Sequence, residues 1–192
     1  MKQKYSTKFM VTAALLAAFS CVATMAIKIP TPTFGYIHLG DALVLLCGVI
    51  LGPVYGGLAA GIGSMLADLF SGYAAFAPAT LIIKAISAVI AALLFRGLKK
   101  LFHSHHKGTE YLCLIICGAV AESFMVIGYF LFEIFLAMLA AGSFTGTTFA
   151  AGVGSSATGI PFNIVQGFAG IIITLVLLPI LKKIPDVSEW MN

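Results

Sequence analysis

The sequence predicts an all-α membrane protein, six transmembrane helices packed as one compact bundle, and three observations carry that prediction. Six residues in ten are hydrophobic and only 9% are charged, against about 25% charged in soluble domains. The mean hydropathy is +1.07. Long apolar runs recur along the chain between Pro, Gly and charged punctuation. A span takes roughly 20 mostly apolar residues, so 192 residues with short connections hold about six spans and no separate soluble catalytic domain. The third observation is that Lys and Arg gather in alternate connections.

The first span is expected at 8–29. Lys2, Lys4 and Lys8 ahead of an apolar run resemble a signal peptide, but the run from Phe9 to Ile27 exceeds the ~7–15 residues of a signal core, and no A-x-A site ends it. The second and third spans, 39–51 and 54–70, are separated only by Gly52-Pro53. Proline opens a helix well and is costly inside one, so this dipeptide reads as a tight turn; a single kinked span is the alternative and leaves five. The remaining spans are expected at 79–98, 111–139 and 157–181, making 1–192 one transmembrane domain.

Positive residues are retained on the cytoplasmic side of a membrane. With six spans, Lys2, Lys4, Lys8, Arg96, Lys99, Lys100, Lys107, Lys182 and Lys183 all fall on that side, and the outer connections carry none. Both termini are then expected in the cytoplasm of a cell with this protein in its plasma membrane. The outer face is expected to comprise 30–38, 71–78 and 140–156. The last of these, which contains AGSFTGTTFAAGVGSS, reads as a mobile cover.

The net charge of +4 does not indicate nucleic acid, because the basic residues form no single surface and no zinc-finger, helix-turn-helix or RNA-binding signature accompanies them. Cys21, Cys47, Cys113 and Cys117 fall within apolar runs without a CxxC pair or nearby His clusters, so they read as packing residues, with neither a disulfide framework nor a metal site.

An ionisable group in hydrocarbon costs at least ~2.5–3.5 kcal/mol on insertion scales, so each needs a partner or a purpose. Asp41 opens the second span, Asp68 closes the third, Lys84 lies near the start of the fourth and Glu133 in the outer part of the fifth. Asn163 and Gln166 share a face of the sixth, and His38 precedes Asp41. Glu122 lies eleven residues before Glu133, with Tyr129 between them on nearly one helical face, a polar stripe of roughly 16 Å. Singly, each has a structural reading: Asp68 or Glu133 paired with Lys84, Asp41 as a helix cap, amides bonding across helices. Together, beneath loops carrying Phe34, Tyr36, Tyr73, Phe76 and Phe144, they describe a pocket near the outer face suited to a small, flat, polar ligand.

Small residues mark close helix approach. Gly57, Gly61 and Ser64 share a face below Asp68, and Ala13 with Ala17 and Ala14 with Ala18 form overlapping AxxxA pairs. No GxxxxGK[ST] loop occurs, nor HExxH, nor a His within any span. An enzyme is therefore not expected, and no cofactor is called for. A self-sufficient secondary transporter would be expected to carry internal repeats and broken mid-membrane helices; no convincing repeat is seen, and only the deep Glu122 favours that rival. A non-transporting structural subunit is the other alternative.

The stretch YIHLGDALVLLCGVILGPVYGGLAAGIGSMLADLFSGYAAFAPATLIIKAISAVIAALLF, with PFNIVQGFAGIIITLVLLP near the end, resembles the substrate-binding S components of energy-coupling factor (ECF) transporters. That resemblance covers nearly the whole chain. It implies a vitamin-binding membrane subunit, closed by the first two outer loops and powered by a transmembrane scaffold subunit with two ATPases. It also implies scaffold docking through Ala13, Ala14, Ala17 and Ala18. The HLGD and APATLIIK segments look closest to a branch associated with riboflavin by name and with pyridoxine-like or hydroxymethylpyrimidine-like ligands; pantothenate would use Lys84 as a counter-ion.

Overall fold

The computed structural model describes residues 6–33, 35–102 and 107–191. Its elements run α1 (Thr7–Ala26), β1 (Lys28–Pro30), β2 (Tyr36–His38), α2 (Asp41–Phe70), α3 (Ala77–Phe102), α4 (Lys107–Ala140), α5 (Gly146–Ala157), α6 (Ile160–Leu181) and α7 (Pro185–Trp190). Among the described residues, α1, α2, α3, α4 and α6 are long and apolar enough to cross a membrane. Their outer surface is apolar: Val22, Val54, Phe70, Leu131, Phe168 and Ile172 are all exposed, while Asp41, Lys84, Glu122 and Gln166 are buried. Lipid as solvent accounts for that inversion, since apolar side chains lose nothing by facing it and charged ones gain by turning inward.

Five long helices stand where six spans are expected, and the difference lies at Gly52. Gly52 has φ 81° and ψ −176°, which is not helical. A Cβ on Gly56 would lie 2.4 Å from the carbonyl oxygen of Cys47, whereas nine residues of straight helix span roughly 13 Å. The segment 53–70 has therefore folded back on 41–51. Neighbouring α3 records the same reversal: Gly48 lies against Ala88 and Gly52 against Arg96, then Gly57 against Ala85 and Gly61 against Leu81. Thus α2 passes along the bundle twice, and Asp41 and Asp68, its two ends, arrive on the same side. Glycine is favoured at the reversal by the positive φ, and the Arg96 guanidinium lies 2.5 Å from where a Cβ would stand. Pro53 opens the second arm, where its missing N–H costs nothing.

One end of the bundle is basic and the other carries the β-hairpin. At the basic end Lys182 pairs with Glu110 at 2.6 Å and Lys8 with Asp186 at 3.4 Å. Lys2 and Lys4 lie outside the described residues. The charge asymmetry is less complete than the sequence suggests, because α1 stops at Ala26 and Lys28 emerges in β1, where its ammonium donates to Ser71 Oγ at 3.1 Å. A second correction concerns 140–156. Most of it is helix α5, started by a reciprocal capping box between Thr145 and Thr148, so the Thr residues that suggest a mobile cover initiate a helix instead. The stripe Gly57, Gly61 and Ser64 also divides: the glycines face α3, and Ser64 meets Ser20 of α1 at 3.4 Å.

Candidate functional site

The hairpin positions the first site residues. In β1 and β2, paired antiparallel with Lys28 opposite His38 and Pro30 opposite Tyr36, side chains alternate faces, so Tyr36 and His38 project together and Ile37 does not. The Tyr36 hydroxyl donates to Asp68 Oδ1 at 2.7 Å, and the His38 backbone N–H donates to Gln166 Oε1 at 2.8 Å. The strand is thereby tied to both α2 and α6.

Beneath the hairpin lies a buried charge pair. Lys84 of α3 bonds Asp41 Oδ1, both fully inside the bundle, and Gln166 Nε2 donates to Asp41 Oδ2 at 2.7 Å. Gln166 thus uses both ends of its amide, one on the hairpin and one on the floor. The face of α6 is shaped for these neighbours: a Cβ on Gly170 would meet Asp41 Cβ at 2.9 Å, and one on Gly167 would meet Glu122 Cβ at 2.9 Å. The Lys84 ammonium also sits 5.2 Å from the Tyr129 ring centre, within cation–π range, and the Tyr129 hydroxyl lies 3.0 Å from Thr80 Oγ1. Glu122 is buried on the same side, and neither of its oxygens accepts a hydrogen bond among the described residues.

Between hairpin and floor is a narrow, half-open pocket with an enclosed volume of about 30 Å³. Tyr36, His38, Asp68, Phe76, Glu133, Asn163 and Gln166 line it, as the sequence suggests, together with Thr31, Gly35, Thr80 and Tyr129. Asp41 and Lys84 lie below it. Tyr73 is outside, its ring centre 4.4 Å from that of Tyr36. Phe144 is exposed beside Phe135, away from the pocket, and Phe34 lies outside the described residues. The pairing of Lys84 with Asp68 or Glu133 is corrected: Asp41 takes the lysine, Asp68 takes Tyr36, and Glu133 Oε1 accepts from Thr33 at 2.9 Å. Thr33 and Thr80 are easily passed over because a lone Thr resembles loop or helix filler. Tyr129 had a signal, its place on the stripe between Glu122 and Glu133.

Among the four alanines, Ala13 and Ala17 pack against the core, and a Cβ on Gly63 would lie 2.3 Å from the Ala17 carbonyl oxygen. Ala14 and Ala18 are exposed.

His38 Nδ1 accepts the Gly40 N–H at 3.0 Å, which requires the neutral ring. Burial pushes its pKa down from 6.5 to about 4, the Lys84 charge adds to that, and Asp41 opposes it. A proton therefore prefers the unfolded chain, and stability present above pH 6.5 is lost as pH falls toward 4, by on the order of 3 kcal/mol. The thermal midpoint in detergent is expected to drop across that window, and His38→Gln to flatten the drop. An equal slope in the variant would assign the effect to other groups.

A family model described as "ECF-type riboflavin transporter, S component" matches residues 4–183. A solved structure of the S component of a bacterial ECF transporter superposes with a TM-score of 0.62 at 22% identity, covering 92% of this chain and 96% of that one. The S-component for biotin from an ECF-type ABC transporter gives 0.61 at 18% identity, covering 93% and 95%. At such identities the likeness concerns the fold. An uncharacterised protein of Pyrococcus woesei is 36% identical over 109 residues, 56% of this chain; the match spans 66% of that relative's length.

Proposed function

The chain belongs to the family of ECF-type riboflavin transporter S components, and on that premise we propose that it captures a water-soluble vitamin or precursor in the hairpin-capped pocket. The hairpin end faces outward, both termini are cytoplasmic, and the captured ligand passes inward through an ATP-driven partner module. That module consists of a transmembrane scaffold subunit and two ATPases, which supply the hydrolysis. The observation that carries this reading is the convergence of hairpin, α2, α3, α4 and α6 on one pocket with aromatic and polar walls. Walls of that kind suit a flat heterocycle. The preferred ligand is pyridoxine-like or hydroxymethylpyrimidine-like, with riboflavin next. Pantothenate loses ground, because the lysine that would meet its carboxylate is engaged by Asp41.

Mass spectrometry of small molecules released from protein purified out of rich medium tests the reading directly. One vitamin-like compound at near-stoichiometric yield is expected, and a clean blank with no binding in titrations would overturn it. Asn163, whose side chain lines the pocket without a hydrogen bond to another described side chain, is expected to contact the ligand. Asn163→Ala should weaken binding by roughly tenfold, the worth of about 1.4 kcal/mol from one hydrogen bond; an unchanged titration would remove it from the site. Glu122 favours one competing reading, a carrier coupled to protons or sodium. Accumulation of ligand in liposomes by the purified chain alone, under such a gradient, would establish that alternative.

A further inference from the structure

The pocket contains two carboxyl groups whose hydrogen bonding is half complete. Asp68 and Glu133 are 4% and 8% exposed. Each spends one oxygen on a hydroxyl at the hairpin end, Asp68 Oδ1 on Tyr36 and Glu133 Oε1 on Thr33. The other oxygens, Asp68 Oδ2 and Glu133 Oε2, are buried and accept nothing from the described residues. Glu133 Oε2 lies close to Gly159 at the start of α6, where a Cβ would approach it to 3.0 Å. Ionised carboxyl oxygens only accept, and leaving one buried without a donor is costly.

No cation in the pocket wall offsets them. Lys84 sits below the pocket and is taken by Asp41, and His38 accepts the Gly40 N–H and so carries no charge. Among the described lining residues there is neither Lys nor Arg. The aromatic walls of Tyr36, Phe76 and Tyr129 meanwhile favour a planar ring.

We infer that this pocket selects by charge: its ligand is a flat heterocycle, neutral or positively charged, bearing N–H or O–H donors that reach Asp68 Oδ2 and Glu133 Oε2, and it carries no carboxylate or phosphate. This rests on the vitamin-binding reading above and narrows it. Anionic vitamins and phosphorylated forms are excluded by the same two oxygens that hold the donors, because like charge in a low-dielectric site is strongly repelled.

Matched pairs test the selection on the intact wild-type protein in detergent or nanodiscs. Pyridoxine against pyridoxine 5′-phosphate, and riboflavin against flavin mononucleotide, differ only by a phosphate; biotin and pantothenate supply carboxylates. The unphosphorylated member of whichever pair binds should be preferred by roughly 100-fold or more. Asp68→Asn and Glu133→Gln should each weaken that ligand and narrow the gap to its phosphate. Equal or tighter binding of a phosphate ester, of biotin or of pantothenate overturns the charge selection while leaving the vitamin-binding reading intact. If a compound outside the panel is released from the purified protein, a carboxylate or phosphate on it has the same consequence. Binding of nothing, with nothing released, overturns both.

Discussion

Replacing Lys84 with methionine is expected to lower the thermal midpoint in detergent by about 10 °C or to prevent recovery of folded protein. Lys84 is fully buried in α3 and is the partner of Asp41, which is 1% exposed. Without the ammonium, Asp41 keeps only the Gln166 amide and faces Glu122, whose oxygens have no donor among the described residues. Breaking a buried pair from one side costs about 3–5 kcal/mol, a large share of a typical stability of ~5–15 kcal/mol, and at this chain length each kcal/mol is worth about 2–4 °C. The double variant Lys84→Met with Asp41→Asn removes both charges and should recover part of the loss, since neutralising a whole pair costs far less than orphaning half of it. A midpoint within about 2 °C of wild type for Lys84→Met alone would show that the pair holds nothing together.

The pair also shows what the sequence could and could not say. Composition and charge placement sufficed for the membrane class, and the sixth span's Asn163 and Gln166 could be put on one face from their spacing alone. Gly52-Pro53 could be read as a reversal because positive φ and helix-opening proline are local chemistry. Which carboxylate takes Lys84 was not readable: Asp41, Asp68 and Glu133 are comparable in type and depth, and the choice is made by how α2 folds back and by the room that Gly170 leaves beside Asp41. The hairpin is not legible in the sequence because three-residue strands carry too little periodicity to register. Helix α5 is equally hidden, because its Gly, Ser and Thr content suits a loop as well until Thr145 and Thr148 cap each other.

Ala18→Trp is expected to abolish ATP-driven uptake by the assembled transporter, at least tenfold, while ligand binding to the isolated chain stays within about twofold. The two AxxxA pairs of α1 are indistinguishable by pattern, yet a helix turns 100° per residue, and the fold assigns them different faces. Ala13 and Ala17 look inward, where the Ala17 backbone touches Gly63; a large side chain there is overpacking, at about 1–3 kcal/mol. Ala14 and Ala18 look outward, among exposed Val11, Leu15, Phe19 and Val22. Small residues flanked by large apolar ones form a notch in which another membrane helix can bring its backbone close, and an indole fills that notch without touching the pocket. Ala17→Trp serves as the contrast: it should lower the thermal midpoint and weaken binding and uptake together. Full uptake by Ala18→Trp would exclude this face from docking, whereas loss of binding in Ala18→Trp would make it a structural position and leave the partner surface to be sought on another helix.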